Sequence, residues 1–448
     1  MMALLAYLLT SANISCQRCR TVTDFFVNLQ SYNIAERAHR DTSPTPPTTI
    51  MNFSLNLPLI SMIMIAAAIV SLAAMVLLYY LRLRPIARAR RSCDRDAAVA
   101  DITPADASTC SPGVSVIVYS QDEAHELAEL LPQILNQDYD GKMEVIVVND
   151  GESLDVRDTV SLLQLSHSNL YLTHTPDGAR NLSRKKLGIT LGVKAARYDV
   201  VVLITAAARV TSNQWLHRIT RHFADSRIEV VLGYAYPATG GDNGAGKRRR
   251  SFDIVADAAL WLSAALTGKP YRGCENNLAY RRSTFFANKG FARSLNLCFG
   301  DDDTFVSEIA RRDNTAVELS AQSMVTLPTD NRHDHIEQSL RRHFTEKFIK
   351  RRRRLLLPLS FWLAPIAVCA SAIAIACDYS NATTVTSGAV IALAAISVSA
   401  GIWHQMMGLL RGRNLLLSLP LLAATRPWRQ AMIAVRSKLS HQKRYTWD

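Results

Sequence analysis

The chain lacks a disulfide framework. Its eight cysteines are scattered over 448 residues, and only Cys16 and Cys19 stand at a paired spacing. One CxxC with neither a second pair nor a His pair is a weak metal or redox signal. The pattern excludes a small disulfide-stapled secreted domain, so the bulk of the chain reads as facing a reducing compartment. The composition of a disordered or fibrous chain is missing too, because hydrophobic residues make up 48% of the total. The length predicts two to three domains of ordinary size.

Charge is absent from three long runs. Leu57–Leu81, Leu355–Cys377 and Ala382–Trp403 hold 25, 23 and 22 residues without Asp, Glu, Lys or Arg. Each exceeds the ~20 residues a helix needs to cross the hydrocarbon core. Three such runs predict three transmembrane helices rather than buried core helices. A transporter is disfavoured, because three uncharged spans do not easily enclose a path.

Flanking charges predict the orientation. Arg82, Arg84, Arg88, Arg90 and Arg91 follow the first run, and Lys350–Arg354 precedes the second. Arg411, Arg413, Arg426, Arg429, Arg436 and Lys438 follow the third, whereas the Asp378–Asn381 connection has no Lys or Arg. The positive-inside rule then predicts an N-terminus outside, with residues 82–354 and the C-terminus in the cytoplasm. Much of the formal charge of +13 is thereby accounted for as membrane-surface charge, with lipids as a partner. No nucleic-acid partner is needed to explain it.

The remaining segments read as follows. Residues 1–50 receive no fold: Met1–Ser15 is apolar without a basic leader, Thr42–Thr49 is rich in Pro and Thr, and Met51 is an alternative start. Residues 82–112 read as a juxtamembrane linker and 334–354 as a basic interfacial segment. In the basic tail 404–448, Leu415–Thr425 is apolar but only 11 residues long, which predicts an interfacial or re-entrant piece.

Between residues 113 and 333 the pattern changes. VSVIVY (114–119), MEVIVV (143–148) and VVVLI (200–204) are short apolar runs separated by helical spacing. That alternation predicts an α/β domain with a mostly parallel sheet covered on both faces. Ligands of such sheets bind beyond the carboxyl ends of the strands, where Tyr119, Asp150 and the Thr205–Arg209 turn fall.

Five segments in order carry a family resemblance: VSVIVY, VIVVNDG, KKLGITLGVKAARYDVVVLIT, GCENNLAYRRSTFFANKGF and FGDDDTF. Together they resemble the membrane-anchored family 2 glycosyltransferases, in flavour those of Bacteroidetes bacteria, over about residues 57–440. The resemblance implies a GT-A fold, a nucleotide-sugar donor, a lipid-linked or cell-envelope polysaccharide acceptor, and the bacterial inner membrane. It implies that Asp150 holds the base or ribose, that Tyr119 lies against the base, and that Lys185 and Lys186 face a diphosphate. It also implies a general base among Asp301, Asp302 and Asp303, with Asp302 the choice. Gln338 and Arg341 match a QxxRW motif that contacts acceptor or diphosphate, with Arg342 in place of the tryptophan.

Plainer readings stand beside these. Asn-Asp-Gly at 149–151 is a good turn former, Tyr119 suits a strand end, and the lysine pair suits a solvated helix face. The three aspartates suit the N-terminus of a following helix. Pro237–Arg250 reads as a mobile lid over the donor.

One expected element is missing. The family's metal-binding Asp-x-Asp falls on Ala206 and Ala208, and methyl groups cannot ligate the implied Mn2+ or Mg2+. Three explanations follow. A metal-independent enzyme would neutralise the diphosphate with Arg209, Lys185 or Arg341. A displaced metal would borrow carboxylates from Asp301–Asp303. A chain without catalysis would serve as a nucleotide-sugar-binding or scaffold subunit.

Overall fold

A computed structural model describes residues 57–102, 111–151, 153–176, 183–238, 244–327, 332–349, 358, 360–415 and 417–439. The CxxC and the Pro/Thr stretch lie outside the described residues.

Seven strands form the main sheet: β1 (Val114–Ser120), β2 (Met143–Asn149), β3 (Leu170–His174), β4 (Val200–Thr205), β6 (Val230–Leu232), β8 (Leu278–Arg281) and β9 (Thr315–Val317). Their order is β3-β2-β1-β4-β8-β6-β9, and only β8 runs against its neighbours. This is the mostly parallel α/β sheet predicted from the sequence. A smaller sheet joins β5 (Arg209–Val210), β10 (Val325–Leu327) and β7 (Ala235–Pro237) beside the end of β4.

The strand sequences explain the layers. Successive side chains alternate between faces, so Val116 and Val118 of β1 enter one apolar core while Ile117 and Tyr119 enter the other. α3 (Ala124–Leu135) and α4 (Leu154–Gln164) flank the strands in sequence, with Leu127, Leu130, Val156 and Val160 in the first core. α5 (Arg184–Ala195) covers the second face. A Cβ at Gly192 would stand 2.7 Å from Ile117 Cγ2, so only glycine lets α5 approach this closely. That approach carries the first turn of α5 over the strand ends.

The second core continues into the apolar helices. α7 (Ala245–Leu266) is 22 residues long and presents Phe252, Val255, Ala256 and Ala259 to it. Phe252 meets Trp403 of α12 (Ala382–Leu409) at 5.4 Å, and Trp403 stacks on Phe361 of α11 (Ser360–Cys377) at 4.7 Å. At 1.5 Å per residue the 28 residues of α12 span roughly 42 Å, longer than a ~30 Å hydrocarbon core. Its last turns, with Met406 and Met407, are accordingly buried beneath α7.

Among the described residues three helices are long and apolar enough to cross a membrane: Leu57–Val99, Ser360–Cys377 and Ala382–Leu409. The first runs into the expected linker. α1 (Leu57–Leu78) passes through a π-turn at Tyr79–Leu83 into α2 (Arg84–Ile102), so residues 84–102 are helical. The reason is an alanine-rich sequence with buried Leu83, Ile86, Ala87, Cys93 and Ala97 on one stripe. Arg90 donates to the Leu319 carbonyl at 2.8 Å and Asp94 accepts from Ala321 N–H at 2.8 Å, which fixes α2 to the domain.

Further expected segments are helical in part. The apolar piece at 415–425 belongs largely to α13 (Leu419–Leu439), whose Pro420 sits in the first turn, where proline is tolerated. Within the expected lid, Ala245–Arg250 form the start of α7, and residues 239–243 lie outside the described residues. The basic segment near residue 334 is helical as well, forming α10 (Arg332–Thr345).

Candidate active site

A cavity of about 590 Å3 opens at the carboxyl ends of β1, β2 and β4 and extends to α7 and α10. Register brings its first wall together, since Tyr119 pairs with both Val148 and Thr205 across neighbouring strands. Tyr119 donates its phenolic O–H to Asp150. Thr175 donates to the other Asp150 oxygen at 2.8 Å and Arg184 Nε to the same oxygen at 2.7 Å. Burial, then the hydrogen bond to Asp150, pushes the Tyr119 phenol upward, so it stays a donor. Asp150 is thus a buried, hydrogen-bonded anchor rather than a turn residue alone.

Lys185 and Lys186 part company although adjacent. Lys185 lines the cavity, binds Glu275 and lies 2.9 Å from Asp301. Burial opposes its charge, but the Asp301 and Glu275 carboxylates outweigh it and raise the ammonium's pKa. Lys186 does not line the cavity. It is fully buried and donates to the carbonyls of Ser294 (2.6 Å), Leu297 (3.1 Å) and Phe299 (2.8 Å). Burial lowers its pKa to about 8. Its charge therefore pins the segment leading into the acidic turn and is turned away from any ligand there.

The three aspartates have three environments. Asp301 is taken by Lys185. Asp303 caps α9 (Thr304–Ile309) by accepting from Thr304 N–H at 2.6 Å, and it also accepts from Thr345 of α10 and Arg272. Asp302 lines the cavity half-buried. Burial, followed by the charges of Asp303, Glu275 and Asp301, raises its pKa well above the ordinary carboxylate range. Gly300 makes the turn possible, having φ +104° and no room for a Cβ beside Thr304 Oγ1.

Arg209 is not brought to the cavity. It pairs with Glu129 at 2.5 Å and donates to the Ala206 and Ala208 carbonyls. Gln338, Arg341 and Arg342 of α10 do line it. Arg341 lies 4.0 Å above the Phe299 ring and 2.5 Å from Glu337, and Arg342 lies 3.5 Å from Asp257.

The structure places the expected metal positions away from the cavity. Ala206 and Ala208 are both fully buried in the apolar core, whereas Thr205 and Ala207 line the cavity. Carboxylates at 206 and 208 would stand among buried apolar side chains, not at the cavity. The cavity-facing pair offers one hydroxyl, already bonded to Asn276, and one methyl group. Glu275 and Asp301 are held by Lys185, and Asp303 by the α9 amide, Thr345 and Arg272. These residues do not fit the oxygen shell a hard divalent cation requires. Among the described residues no group of three or more His, Cys, Asp or Glu side chains is arranged to hold a metal.

Several lining residues escaped the sequence reading. Glu275 sits in the GCENN segment and Arg184 directly precedes the lysine pair, yet neither stood out. Arg413 read only as tail charge.

Known proteins were compared with this geometry in view. No curated protein sequence matches the chain. Among solved structures, a mannosyltransferase from Pyrobaculum calidifontis in complex with GDP-Man and Mn2+ is 20% identical, covering 83% of this chain and 99% of that one, with TM-score 0.49. A glucosyl-3-phosphoglycerate synthase from Mycobacterium tuberculosis, in complex with Mn2+, UDP and phosphoglyceric acid, is 14% identical over 52% of this chain and 75% of that one, with TM-score 0.36. Residues 115–294, which carry β1 to β4, Asp150, Lys185 and Glu275, match the family model for Glycosyl transferase family 2.

Proposed function

We propose that the chain is a membrane-bound glycosyltransferase. It takes a glycosyl group from a nucleoside-diphosphate sugar and passes it, with inversion, to a hydroxyl of a lipid-linked or cell-envelope polysaccharide acceptor. The observation that carries this reading is the asymmetry of the acidic turn. Asp301 and Asp303 are occupied by a lysine and a helix N-terminus, while Asp302 faces the cavity with a raised pKa. A carboxylate tuned upward is a stronger base for an acceptor hydroxyl.

In the single displacement, the acceptor oxygen bonds to the anomeric carbon as its proton passes to Asp302. The bond from that carbon to the phosphate oxygen breaks, and the electron pair leaves on the nucleoside diphosphate. Lys185, Arg184 and Arg341 line the cavity and supply the charge that this leaving group needs. Asp150 and Tyr119 offer the nucleoside a carboxylate and a ring at the strand ends. The residues favour a metal-independent transfer. The three apolar helices and their flanking arginines support a multi-pass protein in a bacterial inner membrane, of the kind found in Bacteroidetes, with this domain on the cytoplasmic side.

A second reading, a nucleotide-sugar-binding subunit without catalysis, is favoured by the missing carboxylates at Thr205 and Ala207. Calorimetric titration of the detergent-purified chain with UDP-, GDP- and CMP-sugars, with and without Mn2+, separates the two. Binding of one donor that survives Asp302→Asn, together with turnover that does not, supports the transferase. Binding without turnover in the unaltered chain supports the subunit.

A further inference from the structure

The polarity of α13 is reversed. Arg426 and Arg429 are buried and paired with Asp257 and Asp253 of α7, whereas Leu421, Trp428, Met432 and Val435 are exposed. Steps of about 100° put those four apolar residues within roughly 60° of one another, with Arg426 nearly opposite them. Among the described side chains of α13, Gln430 and Arg436 are the exposed polar ones. A helix on the surface of a water-soluble domain does the reverse, turning its apolar stripe inward and its charges to solvent. Charges that face inward and pair there, with apolar side chains outward, suit a medium less polar than the protein on which the helix packs.

The neighbours of α13 set this face at one level of the apolar helices. Tyr79, just after α1, donates to Gln405 of α12 at 2.6 Å, and Phe361, at the start of α11, stacks on Trp403 of α12 at 4.7 Å. These contacts gather the domain-side ends of the three apolar helices. At that end Trp428 meets Trp362 of α11 edge-on at 5.3 Å, and Tyr80 is exposed. Tryptophan and tyrosine concentrate where hydrocarbon gives way to headgroups. No Asp or Glu stands between Leu419 and Leu439, so anionic headgroups would meet no like charge on this helix.

We propose that the outer face of α13, formed by Leu421, Trp428, Met432 and Val435, is a lipid-contact surface. It sits at the boundary between headgroups and acyl chains of the bilayer that the three apolar helices cross. The proposal rests on the membrane-bound reading and extends it to the cavity. Arg426 holds Asp257, which lies 3.5 Å from Arg342 on the cavity wall. Lipid on one side of α13 is thereby two ion pairs away from the cavity on the other.

The test uses the full chain in nanodiscs of phosphatidylcholine and phosphatidylglycerol, with bromine near the headgroup end of the phosphatidylcholine chains. Subtracting the emission of Trp428→Phe from that of the unaltered chain isolates Trp428. Brominated lipid should remove most of that signal, and aqueous iodide should leave most of it. Independently, Met432→Asp should lower the melting temperature by about 2 °C or more beyond Gln430→Asp, two residues away on the same helix. Equal melting of the two variants would count against lipid contact. Quenching by iodide and not by brominated lipid would set the face in water and overturn the proposal. Quenching by neither, in nanodiscs that each hold two chains, would assign the face to a second copy and overturn it too. Release of the unaltered chain from liposomes by an alkaline wash would remove the membrane-bound reading itself. Firm insertion with Trp428 open to iodide would remove this proposal alone.

Discussion

The Lys185 ammonium lies 2.9 Å from the Asp301 carboxylate and binds Glu275 on its other side. One cation thus joins the first turn of α5, the loop before β8 and the acidic turn, three pieces far apart in the chain. It is also a fixed positive charge on the cavity wall, where the two preceding strand-end positions, Thr205 and Ala207, supply no carboxylate.

Removing that charge should have two effects. In Lys185→Met, affinity for the nucleoside diphosphate falls by roughly tenfold or more, the scale of one charge-assisted contact. The variant also melts lower, because Glu275 and Asp301 are left facing each other. Lys185 lowers the Glu275 pKa, so that pair stabilises the fold above the ordinary carboxylate range and ceases to do so as pH falls through the lowered value. The gap in melting temperature between wild type and variant should therefore close on acidification. A gap that widens toward low pH would contradict the assignment.

The acid limb of the pH–rate profile should report Asp302. Burial and the neighbouring carboxylates raise its pKa, so the base is protonated and idle below that value and activity climbs as pH rises through it. Glu275→Gln removes one of the negative neighbours, which lowers the Asp302 pKa and moves the limb to lower pH. Asp302→Asn abolishes turnover and leaves donor binding intact. Steady-state rates across a pH series, beside calorimetry, give both readouts. A limb that stays in place in Glu275→Gln would assign it to another group.

The sheet was legible because its signal is local. VSVIVY, MEVIVV and VVVLI alternate or run apolar over a few residues, and each became a strand. The acidic turn and Asp150 were legible through motif order. What failed depended on facing. Whether Lys185 or Lys186 meets the cavity is decided by one 100° step around α5, and whether 205 and 207 or 206 and 208 meet it by the pleat beyond β4. Neither phase can be read from a threonine followed by three alanines, or from two adjacent lysines. Glu275 and Arg413 acquire partners more than 85 residues away, at Lys185 and Ser251. Within the expected linker at 82–112, the helix over Arg84–Ile102 was not legible before the domain surface beside it was known, because arginines and aspartates interrupt its buried stripe.

The corrected facing near β4 is itself testable. Ala206→Asp places a carboxylate among buried apolar side chains and should destabilise the chain by roughly 3 kcal/mol or more. The double variant Thr205→Asp/Ala207→Asp directs both carboxylates into the cavity, so it should stay folded and gain Mn2+ affinity measurable by calorimetry. Wild-type turnover is expected to survive EDTA. Equal melting of the two variants, or Mn2+ binding by Ala206→Asp alone, would restore the original alignment.

Close packing of α5 should matter as much as any charge. Ala at position 192 would bring its Cβ to 2.7 Å from Ile117 Cγ2 and 3.0 Å from Val148 Cγ2, both on rigid β-branched side chains of the sheet. The helix must lift, at a cost of about 1–3 kcal/mol. Arg184 and Lys185 would lift with it. Gly192→Ala should accordingly lose donor affinity along with stability, although it touches no ligand. Lowered melting with unchanged donor affinity would mean that the first turn of α5 is positioned by Ser183, whose Oγ accepts from Lys186 N–H at 3.4 Å and donates to the Cys298 carbonyl at 2.8 Å.

Asp257 links the cavity to the outermost helix, because it binds Arg426 of α13 and lies 3.5 Å from Arg342 of α10. Arg426 is 3% exposed, its guanidinium 4.1 Å above the Phe361 ring, so little water is present to replace a lost partner. Asp257→Asn should thus cost about 3 kcal/mol, the scale for breaking a buried pair, because it leaves Arg426 only the more distant Asp253 at 3.8 Å. Arg426→Gln should cost a similar amount. The double variant should melt well above the sum of the two losses, since neither charge is then stranded. Strict additivity in a thermal-melt cycle would show that the pair does not couple. In that case the attachment of α13 to the domain would rest on the Asp253–Arg429 pair and on apolar packing around Leu419 and Ala423.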